Sequence, residues 1–145
     1  MVCMNKSVLV IDDDQNILNL LGRILKLEGY QVLTAGDGNL GLEIIAKKEP
    51  NLVLLDVSMS GMDGYTVCRR IREFSEMPII MVTANGSYED KIKGFECGAD
   101  DYVIKPFLIR EFVARVKSAL RRDDRAQLIK IEVNTQPPNR STNTH

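Results

Sequence analysis

A few polar residues, each set directly behind an apolar run, carry the chemistry available to this sequence. Asp12, Asp13 and Asp14 follow Ser7–Ile11, Asp56 follows Leu52–Leu55, Thr83 and the small Ala84 follow Ile79–Val82, and Lys105 with Pro106 follows Tyr102–Ile104. Carboxylates gathered within a few ångströms repel one another unless a cation joins them. A ligand set made only of oxygen selects a hard ion, Mg²⁺ or in its place Mn²⁺, with water completing the shell. A carboxylate held beside such an ion is a competent nucleophile toward phosphorus, and the product is an aspartyl phosphate. The Lys105 ammonium would neutralise the transferring phosphoryl oxygens, the Thr83 hydroxyl would bind one of them, and Ala84 would leave room for entry. Taken singly, each residue has a plainer role. An aspartate behind a strand often caps the next helix, and Asp14 fits that role as well as any other. The joint occurrence of acid, acceptor, hydroxyl and ammonium favours the chemical reading.

The elements that must bring these residues together can be read from periodicity. Ser7–Ile11, Gln31–Ala35, Leu52–Leu55, Ile79–Val82 and Tyr102–Ile104 are short apolar runs and predict strands. Between and after them, Asp14–Glu28, Leu40–Lys47, Gly64–Phe74, Tyr88–Cys97 and Phe107–Arg122 have apolar residues at helical spacing. Gly29, Pro50 and Gly98 stop three of these helices. Strands without polar alternation, flanked by helices, predict an α/β fold with a five-stranded, doubly wound parallel sheet. Ligands of such sheets bind outside the carboxyl ends of the strands, where the residues named above all fall.

Composition narrows the classes further. The chain has 145 residues, the size of one domain; 44% are hydrophobic, enough for a core, and the net charge is −1. Neither the basic footprint of a nucleic-acid binder nor a run long enough for a membrane span is visible, and Met1 to Lys6 has no signal-peptide pattern. Cys3, Cys68 and Cys97 form no CxxC pair, as expected of reduced thiols in a cytoplasmic protein. From Asp123 onward the chain turns polar, so residues 1–122 are read as the domain and 123–145 as a polar, largely disordered linker or tail. Within it, Gln127–Val133 is read as a possible short strand, and Asn134–His145 as disordered.

The strings VLVIDDD, LVLLDVSMSGMDG, PIIMVTA and GADDYVIKPF resemble the response-regulator receivers of the CheY-like superfamily over roughly residues 6–122. The resemblance implies a (βα)5 flavodoxin-like fold. It implies Asp12 and Asp13 as an acidic pair with Asp13 a direct Mg²⁺ ligand, Asp56 as phosphoacceptor and second ligand, and the Ser58 carbonyl as third. Thr83 and Lys105 keep the roles given above, Tyr102 becomes the switch aromatic, and the Lys105–Pro106 peptide is cis. Family receivers commonly carry Pro where this chain has Ser60, which is expected to loosen that loop without removing a ligand. Ser58 and Asn85 fall at positions that tune dephosphorylation. The last third resembles the OmpR/PhoB subclass, with a dimer face built from Lys91, Ile92, Phe95, Asp100, Asp101, Glu111, Ala114 and Arg115. On that face, Glu111 and Arg115 also read as a plain i,i+4 pair. The implied partners are a sensor histidine kinase and, on phosphorylation, a second copy of the chain, with no direct nucleic-acid or membrane contact. Activity is limited to self-phosphorylation and autodephosphorylation at Asp56. The residues after Arg122 are too few for the winged-helix domain that often follows in this subclass, so the chain reads as a single-domain regulator or as one cut in its linker.

Three rival readings are weaker. Gly36 to Gly41 spells GxGxxG, but it follows the second strand and leaves Asp12, Asp13, Thr83 and Lys105 unexplained. The DxD within Asp12–Asp14 echoes haloacid-dehalogenase-like phosphatases, whose lysine should precede the late acidic pair, whereas Lys105 follows Asp100 and Asp101. A degenerate receiver acting as a phosphate-independent interaction module is opposed by the complete residue set.

Overall fold

The computed structural model describes residues 6–84 and 86–134. Five strands alternate with five helices: β1 (Ser7–Ile11), α1 (Gln15–Leu27), β2 (Gln31–Ala35), α2 (Gly38–Lys48), β3 (Leu52–Leu55), α3 (Gly64–Arg72), β4 (Ile79–Thr83), α4 (Tyr88–Glu96), β5 (Asp101–Ile104) and α5 (Ile109–Asn134). The strands form one parallel sheet in the order β2-β1-β3-β4-β5. The doubly wound α/β fold expected from the sequence is therefore present.

Strand alternation sorts the core into two layers. Leu9, Ile11, Val53, Leu55, Ile79 and Met81 face one side with Val67, Cys68 and Ile71 of α3. Val8, Val10, Leu52, Leu54, Ile80 and Val82 face the other with Leu21 and Leu25 of α1 and Phe112 and Val116 of α5. These side chains are essentially excluded from water, each worth roughly 1.5–3 kcal/mol of burial. Helix starts are set by side-chain caps. Asp14, Asp37, Asp63 and Ser87 accept from Asn16, Leu40, Thr66 and Asp90 amides respectively, so Asp14 does have the capping role weighed above.

Two of the three glycines that spelled a dinucleotide fingerprint serve packing. A Cβ on Gly41 would fall 2.4 Å from Ile11, and one on Gly38 2.7 Å from Val67, so both let α2 lie close on its neighbours. Gly64 is the tightest case, since its Cβ would sit 2.2 Å from the Asp56 carbonyl oxygen.

One expectation is overturned. Gln127–Val133 is helical, not a strand, because α5 runs on to Asn134. Ile129, Ile131 and Val133 do alternate with Lys130 and Glu132, which imitates a strand. Among the described residues no strand lies beside them to pair with. Extending an existing helix also avoids the nucleation cost of starting a new element. Ion pairs tether the extension, Lys6 to Asp124 and Lys130 to Glu76 at 3.1 Å. Residues 123–134 are thus helical, and the rest of the expected tail lies outside the described residues, as do Cys3 and Asn85. Cys68 and Cys97 are buried free thiols. No helix among the described residues is long and apolar enough to cross a membrane.

Gly64→Ala should destabilise the protein by at least about 2 kcal/mol, because backbone rather than a flexible side chain opposes the added methyl. Urea unfolding of the variant measures this, and an unchanged midpoint would show that α3 can move off β3 freely.

Candidate functional site

The carboxyl end of the sheet places the predicted residues side by side. The Asp12 amide donates to the Ala35 carbonyl at 3.1 Å, and the Asp56 amide to the Ile11 carbonyl at 3.0 Å. Both aspartates therefore continue the ladders of β1 and β3, and strand alternation turns their side chains the same way. A carboxylate oxygen from each of Asp12, Asp13 and Asp56 lies within 4.8 Å of the others, with Asp12 and Asp56 buried and Asp13 exposed. The Lys105 ammonium reaches in from the end of β5, 3.1 Å from Asp12 and 3.8 Å from Asp56. It is set there by the strand end, where its amide donates to the Thr83 carbonyl at 2.8 Å, and the peptide to Pro106 is cis. Thr83, 1% exposed, ends β4 beside it, and Ala84 next to it is exposed.

The electrostatics follow from this crowding. Burial pushes the Asp56 carboxyl up from its ordinary 3.8 to about 6, and repulsion from Asp12 and then Asp13 adds to it. The Lys105 charge and a hydrogen bond from the Ser58 amide pull the other way without cancelling it. The donor set is all oxygen, its negative charge is only partly matched, and one oxygen per residue already converges. These residues fit a hard divalent cation. An aspartate in this setting is suited to attack phosphorus, with an ammonium in place for the incoming oxygens.

The family model for the response regulator receiver domain matches residues 8–117. The chain belongs to the response regulator receiver family. Solved relatives agree. A putative response regulator from Chloroflexus aurantiacus J-10-fl is 41% identical, with TM-score 0.77 over 80% of this chain and 98% of that one. A CheY-like receiver domain protein from Methanospirillum hungatei JF-1 is 32% identical, with TM-score 0.80 over 84% and 98%. The BeF3-activated N-terminal receiver domain of RstA from Klebsiella pneumoniae is 32% identical, with TM-score 0.78 over 80% and 99%.

In this receiver the loop after β3 departs from expectation. Ser60 ties it down: its amide and hydroxyl both reach Asp13 Oδ2, at 3.1 and 3.2 Å. Proline could donate neither bond. The late acidic pair is engaged elsewhere. Asp100 accepts from Arg72 at 2.9 Å and from the Ile79 amide at 2.8 Å. Asp101 accepts from Arg115 at 2.9 and 3.0 Å, and Arg115 also reaches Glu111. Neither aspartate joins the carboxylate cluster, which removes the phosphatase echo. Of the remaining residues named for the dimer face, Ile92, Phe95 and Ala114 are exposed apolar groups on α4 and α5, with Lys91 beside them on α4.

Tyr102 is buried, and its hydroxyl lies 3.3 Å from that of Tyr65 and 3.2 Å from the Asp90 carbonyl. Tyr65 and Arg72 were not singled out from the sequence, and Ser60 was singled out only as a loosening of its loop. Only Tyr65 left a trace there, as a tyrosine on the inward stripe of α3 whose hydroxyl would need a partner. A cleft of about 920 Å³ lies at the opposite end of the sheet, where Pro50, Asn51 and Met77 precede β3 and β4; the carboxylates are outside it.

The raised pKa of Asp56 penalises the folded, metal-free receiver. Unfolded, the group ionises near 3.8; folded, near 6; so stability falls as pH rises through that window, and the penalty is full above it. Asp56→Asn should stabilise the metal-free protein by roughly 3 kcal/mol at pH 8 and by almost nothing at pH 3.5. Urea titrations in EDTA at both pH values check this, and an equal gain at both would contradict it.

Proposed function

We propose that this receiver takes a phosphoryl group from a sensor histidine kinase onto Asp56 and uses it to alter the face formed by α4, β5 and α5. The observation that carries the reading is the convergence of Asp12, Asp13 and Asp56 on one point with the Lys105 ammonium 3.8 Å from Asp56. Asp12, Asp13, Asp56 and the Ser58 carbonyl would hold Mg²⁺, or Mn²⁺ in its place. When bound, the ion supplies positive charge that offsets the carboxylates and the phosphoryl oxygens. The Asp56 carboxylate forms the new bond to phosphorus as the donor's bond breaks. Lys105 neutralises a phosphoryl oxygen, and the Thr83 hydroxyl binds another. As Thr83 shifts, the space beside it favours the inward Tyr102 over an outward one, a small local change that biases a two-state surface. The chain acts on no separate substrate; its chemistry is its own phosphorylation and the return of Asp56 to the free acid.

The output assigned here is pairing with a second copy, as in the OmpR/PhoB subclass. Ile92, Phe95 and Ala114 supply exposed apolar area, while Lys91, Asp101, Glu111 and Arg115 surround it with charges of both signs. Arg115 is held between Asp101 and Glu111 within one copy, so the charges are preset for a partner. Asp100, held by Arg72, sits at the margin of this face. Receiver, Mg²⁺ and kinase all belong to a cytoplasmic setting. The domain proper spans 1–122, and the α5 extension leads into a linker.

Incubation with acetyl phosphate and Mg²⁺ should add about 80 Da, one phosphoryl group, to the intact mass, with no gain in EDTA or in Asp56→Asn. A gain that persists in Asp56→Asn would move the acceptor elsewhere. Phe95→Lys should still gain that mass, yet lose the phosphorylation-dependent shift to dimer on size exclusion. A retained shift would place the interface on another surface.

A further inference from the structure

Two buried phenols meet beneath the first turn of α4. Tyr65 is the second residue of α3, next to Gly64, whose lack of a Cβ lets that helix begin against the Asp56 backbone. Tyr102 lies in β5, beside the strand that ends in Thr83. Each side chain is nearly closed to water, at 6% exposure. Their oxygens are 3.3 Å apart, and each lies 3.2 Å from the Asp90 carbonyl oxygen. Each phenol has one proton to give, so with Tyr102 donating to the carbonyl, Tyr65 donates to the Tyr102 oxygen, and this is the bond that Tyr65→Phe removes. The Tyr102 ring fits because α4 carries Gly94 above it; a Cβ there would fall 2.5 Å from the ring. Phe95 flanks the ring at 6.2 Å, and the Lys93 ammonium lies 4.9 Å from the centre of the Tyr65 ring, closing the other side.

We propose that Tyr65 is a positioning residue that holds the Tyr102 ring inward before phosphorylation, through the shared contact of both hydroxyls with each other and with the Asp90 carbonyl. The inference rests on the reading of Tyr102 as the switch aromatic. An outward Tyr102 would leave Tyr65 without its phenol neighbour and open a void under Gly94. An inward Tyr102 completes a buried polar cluster spanning α3, α4 and β5. Tyr65 thereby ties the helix that starts at the phosphoacceptor to the helix that forms the output face. Only the oxygen matters for this role, which separates it from simple space filling.

The test is fluorine NMR of protein labelled with 3-fluorotyrosine. The chain has four tyrosines and no tryptophan, so each signal can be assigned by a single Tyr→Phe change. Tyr65→Phe should lower the inward-to-outward ratio of Tyr102 about three- to tenfold, as loss of one buried hydrogen bond would. The readout is a shift of the Tyr102 signal toward that of exposed tyrosine and a larger H₂O/D₂O isotope shift. Gly94→Ala, which pushes the ring out while keeping Tyr65, supplies the outward reference and a second route should Tyr65→Phe fold poorly: the Tyr65 signal must then move as it loses its neighbour. An unchanged Tyr102 signal in Tyr65→Phe, or an unchanged Tyr65 signal in Gly94→Ala, would overturn the proposal. Adding beryllofluoride and Mg²⁺ should return Tyr102 inward in Tyr65→Phe. If beryllofluoride alters neither protein while the Tyr65→Phe effect is present, the positioning role stands and the phosphoacceptor reading fails.

Discussion

Three carboxylates share a space too small for their charge, and much of the structure exists to keep them there. Asp12 and Asp56 cannot separate, because their amides are locked into the ladders that extend β1 and β3. Asp13 is held from the loop side by Ser60. Lys105 offsets part of the repulsion but leaves Asp56 reluctant to ionise. A rim strained in this way gains stability from anything positive that enters it, and the same rigidity holds the nucleophile in place for an incoming phosphorus. Strain at the functional end is tolerated because the two apolar layers behind it are nearly free of water.

The same rim is coupled to its surroundings by close backbone approach. Gly64 lets α3 touch the Asp56 carbonyl, and Gly94 lets α4 sit on the Tyr102 ring. Neither helix can shift without disturbing what lies beneath it. Between them the Tyr65 and Tyr102 hydroxyls meet at one carbonyl of α4, so that helix hangs partly on two phenols. Adjacent aspartates divide the remaining work: Asp100 braces Arg72 and the start of β4, while Asp101 fixes Arg115 on α5. Arg72 also donates to the carbonyls of Gly98, Ser75 and Met77, which makes it the staple of the loops at that edge.

The extended α5 shows how context decides between two local patterns. Its last turns alternate like a strand, yet they add to a helix already anchored by Phe112 and Val116. Leu128, Ile129, Ile131 and Val133 remain exposed along it. The inner face, with Asp123, Gln127 and Lys130, is polar and borders the large cleft instead of filling it.

The sequence by itself determined the strands, the order of the helices and the carboxylate rim, because those depend on short-range rules. An apolar run of four or five residues bounded by turn residues favours a buried strand over a helix, and in a parallel sheet the residue behind it emerges at the carboxyl end. Asp12, Asp56, Thr83 and Lys105 were legible for that reason, and Asp14 as a cap likewise. Only the tertiary structure decided what depends on distance through space. Ser60 meeting Asp13, Tyr65 meeting Tyr102 and Arg72 meeting Asp100 join residues 28 to 47 positions apart, across elements whose relative placement no local pattern encodes. The strand-like end of α5 went the other way for the same reason, since alternation states a preference but pairing needs a neighbouring strand.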